Sequence, residues 1–196
     1  MLIVVRHGRT AANVAGLLLG RRLDPPLDPL GRKQAAALAA ALPGVSRVVS
    51  SPMARTRETA AAFGRPVVVD ERWIELDYGS LDGTPLREVP TDTWAAWRAD
   101  PAVALGGGES LVALGARVQA ACASLAEEAA DTDLVVVTHV SPVKAALAWA
   151  LGVGDEIAWR AFVAPASITR IATAGPLPSL HSFNGCAHLE GLSADP

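Results

Sequence analysis

Leu2-Ile3-Val4-Val5-Arg6-His7-Gly8 opens the chain, and its reading decides the fold. Four apolar residues, three of them β-branched, run without a polar interruption. A strand wetted on one face would alternate; this pattern belongs to a strand buried on both faces, as in a parallel sheet. The strand stops on an arginine, a histidine and a glycine. The same pattern recurs downstream. Val45 to Ser50 precedes Ser51-Pro52, Val67-Val68-Val69 precedes an acidic loop, and Leu134 to Val137 precedes Thr138-His139. Helical stretches lie between these runs. Asp28 before Pro29 is an N-cap followed by proline at the first helical position, and Pro43-Gly44 stops the helix that follows. Ser51-Pro52 reads as a second helix start, running through Arg55, Arg57 and Thr59 to Phe63 and closing at Gly64. A short helix is expected around Trp94 to Arg98, and a long one from Glu109 or Ser110 to about Ala130. Ser141-Pro142 reads as the next start, with an end at Leu151-Gly152. Ile168 to Ala172 and Leu180 to Phe183 are two further strands, and Gly106-Gly107-Gly108 reads as a flexible joint. Alternating strands and helices predict an α/β fold, a three-layer sandwich with a mostly parallel central sheet flanked by helices. Residues 1–196 are expected to form a single domain, which suits a chain of 196 residues.

Composition narrows the function. Hydrophobic residues make up 51% of the chain, so disorder is not expected. The net charge of -3 gives no basic surface for nucleic acid. No apolar run is long enough to cross a membrane, and the N-terminal one is too short for a signal peptide, which points to a soluble cytoplasmic protein. Cys122 and Cys186 belong to no metal-ligand spacing. Cys122, in an alanine-rich helix, reads as an inert core thiol. A homodimer is compatible with the sequence, although nothing in it demonstrates one.

In open α/β sheets, ligands bind beyond the carboxyl ends of the strands. Three junctions at that edge carry chemistry: Arg6-His7 after the first strand, Ser51 and Arg55 after the second, and His139 after the strand Leu134 to Val137. Arginine forks match phosphate oxygens, and helix N-termini add backbone N–H donors, so the set points to an anion site. A histidine there could ligate a metal, act as acid or base, or attack phosphorus. His7, His139, His181 and His188 have no second ligand close in sequence, so metal ligation is disfavoured and no metal or cofactor is expected. Attack by a neutral imidazole fits better, with arginines stabilising the transferring phosphoryl group and a ring N–H held by a backbone carbonyl. The leaving oxygen needs a proton, and Glu75, in the loop after the third strand, is the best-placed carboxyl. The bland readings are a core histidine for His7, a solvated charge for Arg55 and a surface pair with Arg72 for Glu75; the joint pattern outweighs them.

Taken together, these residues resemble the histidine phosphatase superfamily, the group that includes cofactor-dependent phosphoglycerate mutases. Its Arg-His-Gly signature stands as Arg6-His7-Gly8, with Thr10 and Asn13 where the family has Thr and Asn beside the phosphate. Gly20-Arg21, Asp24 and Pro26-Leu27 are similar to its Gly-Arg-x-Asp-x-Pro-Leu loop, with one extra residue between Arg21 and Asp24. Ser50 to Thr56 matches the second-arginine motif, and Glu75, Gly79 and Gly83 the acid motif. Gly107-Gly108-Glu109-Ser110 resembles a family turn, and Thr138-His139 the second-histidine motif. The resemblance implies His7 as nucleophile, Arg6, Arg55 and His139 as the phosphate pocket, and Glu75 as proton donor. It further implies substrate contacts from Thr10, Asn13, Gly20, Arg21, Ser51 and Val140. Arg9 replaces a common Glu, and Val140-Ser141 replaces the usual glycines after the second histidine. That variant and the tail from Ser182 to Leu189 resemble bacterial acid phosphatases and α-ribazole phosphatases. The expected activity is metal-independent hydrolysis of a small phosphorylated metabolite through a phosphohistidine. A mutase is the alternative, disfavoured because Asp82 to Gly106 is short and offers only Arg87 and Arg98 as cations. A non-catalytic binding module is disfavoured because all five central residues are present.

Overall fold

The computed structural model describes residues 1–192 of the chain. Strands β1 (Leu2–Arg6), β2 (Arg47–Ser50), β3 (Val67–Val69), β4 (Leu134–Thr138), β5 (Ile168–Ala172) and β6 (Ser179–Gly185) form one sheet in the order β3-β2-β4-β1-β5-β6. The neighbours among β1 to β4 pair in parallel. β5 lies antiparallel to β1, and β6 antiparallel to β5. The sheet is therefore mostly parallel, with an antiparallel edge, as the run of short β-branched strands predicts.

The two faces of the sheet can be read from alternate residues. In β1, Leu2 and Val4 enter one buried cluster, while Ile3 and Val5 enter the other. β4 divides the same way, Leu134 and Val136 against Val135 and Val137. On the first face, Leu114, Val118 and Cys122 of helix α5 (Leu111–Asp131) and Val143 and Ala146 of helix α6 (Val140–Leu151) complete the cluster with Trp73. On the second, Leu38 of helix α2 (Pro29–Ala41) and Ala60 of helix α3 (Ala54–Ala61) do so. Helices on both faces are required because residues 2–5 of β1 and 134–137 of β4 are apolar on both sides. Short helices α1 (Ala11–Val14) and α4 (Thr91–Ala99) complete the set. Among the described residues no helix is long and apolar enough to cross a membrane. Cys122 is fully buried and burial pushes its thiol up, as an inert core thiol requires; Cys186 is also free.

Asp28 caps α2 through Gly31 N–H at 2.7 Å, and Ser110 caps α5 through Ala113 N–H, as the sequence predicts. Two starts differ. The second helix begins at Ala54, not at Ser51-Pro52, because the Asp24 carboxylate, thirty residues earlier, accepts from Ala54 N–H at 2.9 Å. α6 begins at Val140, ahead of Ser141-Pro142, because Glu75 accepts from Val140 and Ser141 N–H. The glycines 106–108 are not a flexible joint. Gly106 has φ 57°, and a Cβ on it would stand 2.5 Å from Tyr78 O; one on Gly79 would stand 2.1 Å from Gly106 O. Two backbone segments cross there at a distance that excludes any side chain.

Candidate active site

β2, β4 and β1 are adjacent, so their carboxyl ends deliver Ser51, His139 and Arg6-His7 side by side. The His7 and His139 rings lie 5.3 Å apart at 64°. His7 Nδ1 is 2.7 Å from Gly8 O. A carbonyl only accepts, so Nδ1 carries the proton and Nε2 keeps its lone pair. Among the described residues Nε2 has no hydrogen-bond partner, and His7 forms part of the floor of a cleft of about 760 Å³. Burial first, then the charges of Arg6 and Arg55, hold the imidazole well below its ordinary value, against a smaller opposing pull from Gly8 O. The ring is therefore neutral and nucleophilic at neutral pH.

His139 has its tautomer fixed too. Arg55 Nε donates to Nδ1 at 3.2 Å, and a guanidinium cannot accept. The ring proton therefore sits on Nε2 and is donated to Ser51 Oγ at 2.7 Å. Burial, then Arg55, His7 and Arg6, lower its affinity for a second proton. Arg55 is fully buried despite its charge. Its guanidinium donates to Gly20 O at 2.8 Å and Leu23 O at 3.2 Å and lies 3.5 Å from Asp24. Thr59 holds the first turns together, donating to Arg55 O and accepting from Gly8 N–H. Arg6 donates to Val163 O at 2.7 Å, and its Nε is buried with no partner. Burial brings Arg6 down to about 10, so it stays charged at neutral pH. A buried cationic donor without an acceptor, beside a nucleophilic imidazole, is what an anionic ligand would satisfy.

Glu75 approaches from the loop after β3. Its Oε1 accepts from Leu76 N–H at 2.8 Å and Ser141 N–H at 3.2 Å, and Oε2 from Val140 N–H at 3.1 Å. The carboxylate thus sits at the N-terminus of α6 and lines the cleft with Arg6 and His7. It makes no pair with Arg72, which binds Asp70. Below it, Arg21 Nε and an Arg117 nitrogen donate to Glu75 O, and both arginines share Glu109.

His7, Arg6, Arg55, His139 and Glu75 are brought together, as the sequence expects. Of the expected substrate contacts, Asn13 and Val140 line the cleft. The other four are not among its lining residues. Thr10 is buried in a reciprocal capping box with Asn13, Gly20 supplies the carbonyl that Arg55 grips, Arg21 braces Glu75, and Ser51 fixes His139. Sequence reasoning missed much of the cleft wall. Lys144, Trp159, Arg160, Phe162 and Val163 line it together with Trp94 and Trp97. The first five come from α6 and the segment after it, a short 3-10 turn at Asp155–Trp159 and then irregular chain, where no periodicity marks them, and the two tryptophans come from α4. Among the described residues no group of three His, Cys, Asp or Glu could hold a metal ion.

A family model described as the histidine phosphatase superfamily (branch 1) matches residues 2–185. A bifunctional protein of Mycobacterium tuberculosis is 30% identical over 178 residues, 86% of this chain and 49% of that protein. The chain thus spans about half the length of that relative. Phosphoserine phosphatase 1 of Hydrogenobacter thermophilus is 34% identical over 169 residues, covering 81% of this chain and 79% of that protein. A mutant Entamoeba histolytica phosphoserine phosphatase, solved with phosphoserine, superposes with a TM-score of 0.88 at 25% identity, over 96% of this chain and 98% of that one.

Proposed function

The chain belongs to branch 1 of the histidine phosphatase superfamily, and from that membership and the site geometry we propose that it is a metal-independent phosphatase acting on small phosphate monoesters. The observation that carries the reading is His7: Nδ1 is tied to Gly8 O and Nε2 has no partner among the described residues, in a cleft lined by Arg6, with the buried Arg55 and a second histidine nearby.

In the proposed reaction the phosphoryl oxygens meet Arg6, whose Nε is unpartnered among the described residues, and draw in Arg55 and His139 from just behind the cleft floor, where these two exchange part of their bonding to Gly20, Leu23 and Ser51 for the ligand. The Nε2 lone pair of His7 attacks phosphorus, forming an N–P bond as the bond to the ester oxygen breaks. Glu75, protonated, gives its proton to the leaving oxygen, which departs as an alcohol. Water then attacks the phosphohistidine and gives its proton to Glu75, the N–P bond breaks, and inorganic phosphate leaves. Atoms and charge balance over the two steps without a cofactor. Positioning and charge stabilisation supply most of the acceleration in such transfers. Exposed Leu86 and Phe162 at the cleft mouth leave room for water, which supports hydrolysis over return of the phosphoryl group to the same substrate. A cytoplasmic location is part of the proposal, and two free cysteines are compatible with it.

Hydrolysis of p-nitrophenyl phosphate from acid to neutral pH, with chelator present, tests the proposal on the wild type and His7→Ala. Chelator-resistant turnover is expected in the wild type and lost in the variant. A phosphoryl mass on the His7 peptide after base quenching would identify the intermediate. Turnover that survives His7→Ala overturns the assignment.

A further inference from the structure

Above the phosphate floor, the cleft is walled by rings. Trp97 packs edge-on against Trp159 with centroids 4.5 Å apart, and Trp94 lies 5.8 Å from Trp97. The Arg98 guanidinium sits 5.7 Å from the Trp159 ring centre, which holds that ring in place. Leu86 closes another side, and Phe162 stands at the mouth with 73% of its surface exposed.

The charges at the wall are one-sided. Among the described residues that line the cleft, Glu75 is the single carboxylate, and it faces the α6 amides and the reacting oxygen. Besides Arg6 at the floor, the cations are Lys144, whose Nζ donates to Ala158 O at 2.7 Å, and Arg160, which is exposed and has no ion-pair partner among the described residues. An ammonium group on a substrate would meet cations and no free carboxylate. The cleft volume of about 760 Å³ is in the range that encloses a drug-sized ligand, far more than a three-carbon ester fills.

We infer, resting on the phosphatase reading above, that this site prefers monoesters whose leaving group is apolar and ring-bearing, and discriminates against zwitterionic esters such as phosphoserine. The phosphoryl group sits on His7 and the arginines, and the ring lies against Trp94, Trp97, Trp159, Leu86 and Phe162. Area removed from water there strengthens binding in proportion to the ring buried.

The test uses esters whose leaving oxygens are all primary alkoxides; 2-phenylethanol is the least acidic of the three alcohols, so leaving-group chemistry works against the expected preference and does not mimic it. For 2-phenylethyl phosphate, kcat/KM should exceed that for glycerol 1-phosphate and for phosphoserine by at least tenfold. Phe162→Ala, an exposed position that leaves the core intact, should move both ratios toward one. A wild-type ratio near one, or one favouring phosphoserine, overturns the inference. Binding of 3-phenylpropylphosphonate against 3,4-dihydroxybutylphosphonate, followed by calorimetry, separates the two levels. Absence of turnover on every ester would refute the phosphatase reading, while equal binding of the two phosphonates would refute the preference itself.

Discussion

Lowering the pH from 7.5 to 5 in a buffer free of phosphate should destabilise this protein through two buried imidazoles. His7 and His139 are held neutral in the folded state by burial and by Arg6 and Arg55, both well below their ordinary value of 6.5. In the unfolded chain each takes up a proton as the pH falls through 6.5. The unfolded state then binds more protons, so stability is fully present above 6.5 and is lost as the pH drops toward the folded values. Each group contributes up to about 1.4 kcal/mol per pH unit in that window, or about 2 kcal/mol by pH 5. Urea unfolding followed by tryptophan fluorescence gives the free energy at each pH. The comparison that isolates one site is wild type against His7→Gln, because carboxylates and the half-buried His188 contribute equally to both. The variant should lose about 2 kcal/mol less than the wild type between pH 7.5 and 5. Parallel curves would mean that His7 titrates normally in the folded protein, and the burial argument would fail with them.

Glu75→Gln keeps an acceptor for the α6 amides but removes the proton. It should lower kcat on alkyl phosphates by about 10²–10⁴-fold. The loss should be far smaller on p-nitrophenyl phosphate, whose leaving group departs without a proton; equal losses on both esters would reassign Glu75 to a supporting role. Ser51→Ala leaves the His139 Nε2–H buried without an acceptor, which should cost about 1–3 kcal/mol of stability in urea titrations. Unchanged stability would refute the tautomer assigned to His139.

The central architecture was legible because its determinants are local. Unbroken β-branched runs such as Ile3-Val4-Val5 and Val135-Val136-Val137 have nowhere to go but a doubly covered sheet, and Asp28-Pro29 starts α2 with its own cap. The helix starts after β2 and β4 were misread for one reason. Their caps are Asp24 and Glu75, carboxylates thirty and sixty-five residues away in sequence, and no local pattern announces a partner at that distance. The same holds for the site. His7, Arg6, Arg55, Glu75 and His139 stand at strand ends or in motifs, so their spacing located them. The roles of Thr10, Gly20, Arg21 and Ser51 as braces depend on contacts across the fold. Arg160 and Phe162 lie in irregular chain, where a cleft residue and a solvated one look alike. Gly106 to Gly108 misled for the opposite reason: glycine marks a backbone crossing as often as a hinge, and only the facing Gly79 decides between them.

The grip of Val140 and Ser141 on Glu75 is made entirely by main-chain amides, which every residue except proline possesses. Side chains at these two positions can therefore change without loosening Glu75. Val140 is free to reshape the cleft it lines, and Ser141 to reach the Tyr78 hydroxyl 3.3 Å away. The shape of the cleft wall and the hold on Glu75 are thereby uncoupled at these two residues: ordinary substitution there can rewrite the first, while only a proline would remove an amide from the second.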